Sequence, residues 1–130
     1  MKNQIYTGTP TSRRQASCPT TVKAGDAVLL GKVPAVALDD YQAGIGGTTF
    51  DLNGTFGLTV VGTSSHSPYT PAAINPGDKL YASGTFDAAT NVTTGLLISV
   101  TTSDTPFGVL DPTGPAIGAG NTNTYAGVLI

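Results

Sequence analysis

The sequence contains no glutamate and no tryptophan, one cysteine, one histidine and one methionine, and only 11% of its 130 residues are charged. Each shortage excludes something. Exposed helix faces are built largely from Glu, Lys, Gln and Arg. A chain with six basic residues and eight acids, every one of them Asp, is therefore poorly equipped for surface helices. The lone Cys18 allows neither an intrachain disulfide nor a cysteine metal site and reads as a small residue in an extended stretch. No apolar run approaches the roughly 18 residues of a membrane-spanning helix. The first eight residues also lack the apolar centre of a secretory leader. The expectation is a soluble protein made in the cytoplasm, with no membrane partner.

Glycine (17 residues) and proline (nine) are plentiful, alongside many Thr and Val, which suits short strands joined by tight turns. A chain of 130 residues is long enough to bury one core. The composition predicts an all-β fold, a small single-domain β-barrel or β-sandwich of short antiparallel strands with an extended N-terminal arm. The arm is residues 1–21, in which Ile5 and Tyr6 are the only large apolar side chains; the domain is residues 22–130. So polar an arm cannot bury enough surface to fold alone, but it can become a strand or clasp against a partner.

Charge divides the chain in the same place. Lys2, Arg13, Arg14 and Lys23 precede the first acid, Asp26, whereas from Gly25 onward Lys32 and Lys79 stand against all eight Asp, a side-chain balance of −6. A basic arm on an acidic body is either a solvated terminus or an element that docks on an acidic neighbour. The second reading makes Arg13, Arg14 and Lys23 the candidate contact residues.

The strongest local pattern spans residues 23–38. Gly25 suits the positive φ of a tight turn, and Asp26 can fold its carboxylate onto the backbone N–H groups at a strand entrance. An apolar run at 27–30 reads as a strand buried on both faces. Gly31 and Pro34 let the chain fold back, residues 36–38 return, and Asp39-Asp40 ends the unit. The opening recurs at 76–84 around Gly77 and Asp78, through an old duplication or through shared turn chemistry. Residues 48–52 and 55–61 flank Asn53-Gly54 and predict a type I′ hairpin. Further strands are expected over 78–83, 105–110 and 123–130; 87–95 reads as a turn leading into a short strand, 96–100 as a strand or its continuation, and 111–120 as a turn-rich stretch. Residues 62–76 lack periodicity and read as a surface loop.

Little in the sequence points to chemistry. Asp26, Asp78, Asp87 and Asp111 each sit where a turn uses a carboxylate. Asp39-Asp40 lacks the alternating ligands of a calcium loop and reads as a solvated strand end. The glycine-rich stretch 41–47 has no following Lys-Ser/Thr and no helix to complete a phosphate cradle. His66, among Ser64, Ser65 and Ser67, would need an orienting carboxylate before it resembled a hydrolytic triad. A basic patch with interleaved aromatics is missing, so nucleic acid is not an expected partner. The expectation is no enzyme, with no catalytic residues, no metal and no cofactor.

The order of elements resembles the DUF2190-type family of small phage proteins, regarded as capsid decoration (cement) proteins. A polar arm leads into the Ala24-Gly25-Asp26 strand unit ending at Asp40. Residues 54–58, Gly-Thr-Phe-Gly-Leu, are similar to a family strand, as are Gly77-Asp78-Lys79-Leu80-Tyr81, then Asn91-Val92-Thr93-Thr94, then Phe107-Gly108-Val109-Leu110. The resemblance covers residues 22–130, with departures at Pro34-Ala35 and in the longer 62–76 and 111–120 loops. It implies a virion protein on the outer surface of a tailed-phage capsid, bound to the major capsid protein and to copies of itself, as a homotrimer or alternatively a dimer. Some family members carry a recombinase label, but this chain has no Gly-x-x-x-x-Gly-Lys-Ser/Thr site for ATP. An alternative is a β-rich binding module of a tail fibre or spike contacting a host glycan through Tyr41, Tyr69 or Tyr125. A third reading, a small hydrolase, would centre on His66 or a clustered Asp pair.

Overall fold

The computed structural model describes residues 13–121 and 124–130. It is an all-β domain of eleven strands among the described residues: β1 Arg13–Ser17, β2 Ala27–Leu30, β3 Val33–Ala37, β4 Gly47–Asp51, β5 Thr55–Val60, β6 Thr63–His66, β7 Tyr69–Pro71, β8 Lys79–Asp87, β9 Val92–Ser99, β10 Thr105–Leu110 and β11 Thr124–Leu129. Nine of them form one sheet in the order β1-β4-β3-β2-β9-β5-β11-β10-β8. Because β8 also pairs with β9, the last five close into a small barrel.

Strand β9 is the hinge of the topology. One edge runs antiparallel along β8 from Val92 to Ser99. The other edge is shared: Val92 and Thr93 pair with β2, and Ile98 pairs with Val60 of β5 in a parallel bridge. The barrel and a four-stranded extension, β2-β3-β4-β1, therefore grow from opposite ends of the same strand. Two cores follow. Leu58, Val60, Leu80, Ile98, Phe107, Leu110 and Val128 fill the barrel cluster. Cys18, Val22, Val28, Ala35, Ala37, Phe50 and Val92 form the cluster of the extension. Strand β2 serves both, Leu29 on one face and Val28 on the other, as the run buried on both faces predicts.

The β2–β3 pair is a hairpin with Leu30 opposite Val33. Gly31, at φ 65°, takes the first central position, where a type II′ turn favours glycine. Pro34 is tolerated because β4 joins β3 only from Val36 onward, so no ladder donor is lost at residue 34.

Three sequence expectations are corrected. Residues 48–52 and 55–61 do not form a hairpin: β4 pairs with β1 and β3, whereas β5 pairs with β11 and β9. A type I′ turn needs positive φ at both central residues. Gly54 has φ 142°, and Asn91 is the one described non-glycine residue on the positive side. Asn53-Gly54 instead carries the chain from the extension, where Phe50 is buried, to the barrel, where Leu58 and Val60 are buried. The backbone of Gly54 exchanges hydrogen bonds with Ile130: its C=O accepts from Ile130 at 2.9 Å and its N–H donates at 3.4 Å. Secondly, 62–76 is not structureless, since β6 and β7 pair within it. Their alternation is carried by Thr and Ser rather than by apolar residues, which hides it from a hydropathy reading.

Thirdly, the described part of the expected arm, residues 13–21, is not separate from the domain. Arg13–Ser17 pairs with β4 over five residues, and Cys18 and Val22 are buried. A strand on the edge of a sheet gains its stability from ladder hydrogen bonds and a few small apolar contacts, so polar composition did not exclude it. Residues 1–12 of the arm lie outside the described residues.

Candidate interaction surfaces

The predicted basic residues divide between two places. Arg13 and Arg14 occupy β1, in register with Asp51 and Phe50 of β4, and the opposite charges of Arg13 and Asp51 suit such a cross-strand pair. Strand β1 is the outermost of the nine-stranded sheet, and no other described strand pairs with its outer edge. Lys23 sits instead in the turn that enters β2, with β3 and β4 between it and β1. Its N–H donates to Asp26 Oδ2 at 3.0 Å. Asp40 Oδ1 accepts from the N–H of Ala24 at 2.9 Å, so half of the Asp39-Asp40 pair is a structural acceptor and Asp39 remains exposed.

The two Gly-Asp turns do what their chemistry predicts. Gly25 and Gly77 have φ 89° and 88°. Asp78 Oδ2 accepts from the N–H of Asn75 at 2.8 Å, as Asp26 does from Lys23.

His66 has a carboxylate partner that sequence adjacency could not reveal. Its Nε2 lies 3.0 Å from Asp104 Oδ2, 38 residues away, tying β6 to the segment before β10. The Ser64, Ser65 and Ser67 hydroxyls make no hydrogen bond to the ring among the described residues, and a nucleophile–base contact is what a hydrolytic triad requires. No group of three His, Cys, Asp or Glu side chains capable of holding a metal occurs among the described residues. Cys18 is a free, buried thiol whose pKa burial pushes up, the opposite of the shift that activates a cysteine nucleophile.

Of the three tyrosines considered as a platform, Tyr41 packs against the core of the extension, whereas Tyr69 and Tyr125 are exposed. Tyr125 lies across Gly57 of the neighbouring strand, whose missing side chain leaves room for the ring.

A groove of about 500 Å³ runs between the β2–β3 turn and strands β8 and β10, lined by Lys32, Pro34, Lys79, Tyr81, Pro106 and Val109. Beyond Lys32 it continues into a more polar hollow that includes Phe86, Asn91 and Asp104. At the far end of β3 the chain forms a compact loop before β4. Its turns are closed by Gln42 N–H to Gly47 O at 2.8 Å and Ile45 N–H to Gln42 O at 3.2 Å, and Ile45 is 44% exposed at its tip. The sequence gives no warning of the groove, because its two lysines are brought together only by tertiary packing. Compared with protein families, curated proteins and solved structures, the chain matches none of them.

Proposed function

We propose that this chain is a capsid decoration protein, binding the outside of a tailed-phage head and bridging its subunits so that the shell resists internal pressure. The observation that carries the reading is the position of Arg13 and Arg14 on the outermost strand of the sheet, at the end of a basic N-terminal segment and on an otherwise acidic body. An edge strand is the kind of element to which a neighbouring chain adds, and the positive charge of the segment beside it is complementary to an acidic neighbour. The ordered motifs shared with the phage family supply the class of neighbour, the major capsid protein. Repeated on every subunit, contacts of modest strength add through multivalency. The work in this reading is mechanical, with no catalysis and no cofactor.

The test replaces Arg13 and Arg14 with Gln, which removes the charge while leaving a polar side chain that can still donate hydrogen bonds. Binding of the variant to heads that lack the protein should weaken about tenfold or more, with an unchanged circular dichroism spectrum. Binding equal to that of the unaltered protein would refute the role of β1.

A glycan-binding module of a tail fibre or spike is the second reading. It draws on Tyr125, which is 76% exposed and whose ring packs over Gly57. Loss of glycan binding in Tyr125→Ala would favour it.

A further inference from the structure

From Gly25 onward the chain has two cations, Lys32 and Lys79, against eight aspartates. Although 47 positions apart in sequence, both line the same groove. The rest of its lining is largely apolar, with Pro34, Tyr81, Pro106 and Val109, and Val33 at the adjoining hairpin tip is 49% exposed. A cavity that gathers both cations found from Gly25 onward beside exposed apolar groups is complementary to an acidic, apolar protrusion.

The chain itself carries such a protrusion. The loop between β3 and β4 presents Asp39 and Asp40, both exposed, and Ile45 at 44% exposure. It is internally hydrogen-bonded: besides the turn bonds above, Thr48 Oγ1 donates to the backbone oxygen of Asp39 at 3.1 Å, and the Asp40 carboxylate accepts from the N–H of Ala24. A pre-formed loop loses little entropy on docking.

Groove and loop belong to opposite ends of one strand. Lys32 immediately precedes β3, Pro34 is its second residue and Asp39 follows its end; the strand Val33–Ala37 alone spans about 17 Å at about 3.3 Å per residue. Within one copy the two surfaces cannot meet. We propose that copies of this chain associate head to tail, the Asp39–Asp40–Ile45 loop of one seated in the Lys32–Lys79 groove of the next. A contact between two different surfaces is heterologous, and it closes into a ring where the rotation per copy allows. The assembly requires no capsid, so it stands or falls independently of shell binding.

The test measures the mass of the full chain in solution by sedimentation velocity, using two variants with changes only at exposed positions. Lys32→Glu with Lys79→Glu reverses the groove's charge but leaves the loop. Asp39→Lys with Ile45→Ser removes the loop but leaves the groove. Circular dichroism verifies that both fold. The unaltered protein should sediment above twice the 13.1 kDa chain mass, and each variant alone as a monomer. An equal mixture of the two should give a dimer and nothing larger, because one intact groove then meets one intact loop. A monomeric unaltered protein at millimolar concentration would overturn the proposal and assign the groove to an acidic segment of another protein. Variants that keep the assembled mass, or a mixture that stays monomeric, would overturn it equally.

Discussion

Asp26 and Asp78 make the same set of hydrogen bonds at the entrances to two different strands. The N–H of Asp26 donates to Lys23 O at 3.0 Å, and its C=O accepts from Ala37 at 2.9 Å; the N–H of Asp78 donates to Asn75 O at 3.0 Å, and its C=O accepts from Leu110 at 3.0 Å. The carboxylates close the same turns from the other side. The preceding glycines also match, with Gly25 N–H donating to Ala37 O and Gly77 N–H to Leu110 O. The two strands that follow, β2 and β8, flank β9 on its two edges. Beyond that the likeness ends: β3 follows β2 through a tight hairpin, whereas β10 comes only after β9. The repeat is one of turn chemistry and docking, used twice to seat a strand against the shared β9.

This equivalence makes the two glycines comparable. A methyl group added at Gly25 or Gly77 meets nothing within 4 Å, but both residues have φ near +89°. Gly25→Ala and Gly77→Ala should each cost about 1–2 kcal/mol through backbone strain alone. Gly44→Ala, equally uncrowded and without positive φ, should be within about 0.5 kcal/mol of the unaltered protein. Urea unfolding midpoints compare the three directly, and equal midpoints would contradict the turn assignment.

Ile74 and Ile117 pin the two long connections together. Each backbone N–H donates to the other's oxygen, at 2.9 and 2.8 Å, and both side chains are buried in the barrel cluster. Ile117→Ala should destabilise the fold by about 2–5 kcal/mol. Hydrogen exchange should show the Ile74 and Ile117 amides protected despite lying outside the main strands. Fast exchange at both would show the bridge to be absent in solution.

Asp111 carries the pH-dependent contact. Its Oδ1 accepts from Thr113 N–H at 2.9 Å and from Thr113 Oγ1 at 2.8 Å, and these bonds hold its pKa below the ordinary carboxylate value. A depressed folded-state pKa favours the ionised form, so this contact contributes stability above the unfolded-state pKa and loses it as pH falls through the folded-state one. Thr113→Val keeps the backbone donor and removes the hydroxyl, so the Asp111 pKa should rise part of the way back. A carboxyl NMR titration reads this, and an unmoved pKa would show that the hydroxyl contributes nothing.

Much of this fold was legible because local rules and tertiary structure agree. The Gly-Asp turns, the doubly buried run at β2, the return strand β3 and the strands around Phe107 and Leu110 each follow from a few neighbouring residues. Asn53-Gly54 misled because its local preference for a hairpin is overridden by burial: Phe50 and Leu58 belong to different cores, and a strand that switches core must leave its neighbour. Strand β1 was hidden because it pairs with β4 without an apolar run of its own. The pairing of His66 with Asp104 and the meeting of Lys32 with Lys79 join residues distant in sequence, and no spacing announces them. For the candidate surfaces, the sequence placed the charges but not their geometry. It grouped Lys23 with Arg13 and Arg14, which the strand order separates.

The most direct test of the account is co-sedimentation of the purified protein with expanded phage heads that lack it, over a range of added protein. The account predicts saturable binding at a fixed ratio to the major capsid protein, weakening as salt screens the arginine contacts. No binding to expanded heads at either low or physiological salt would contradict it.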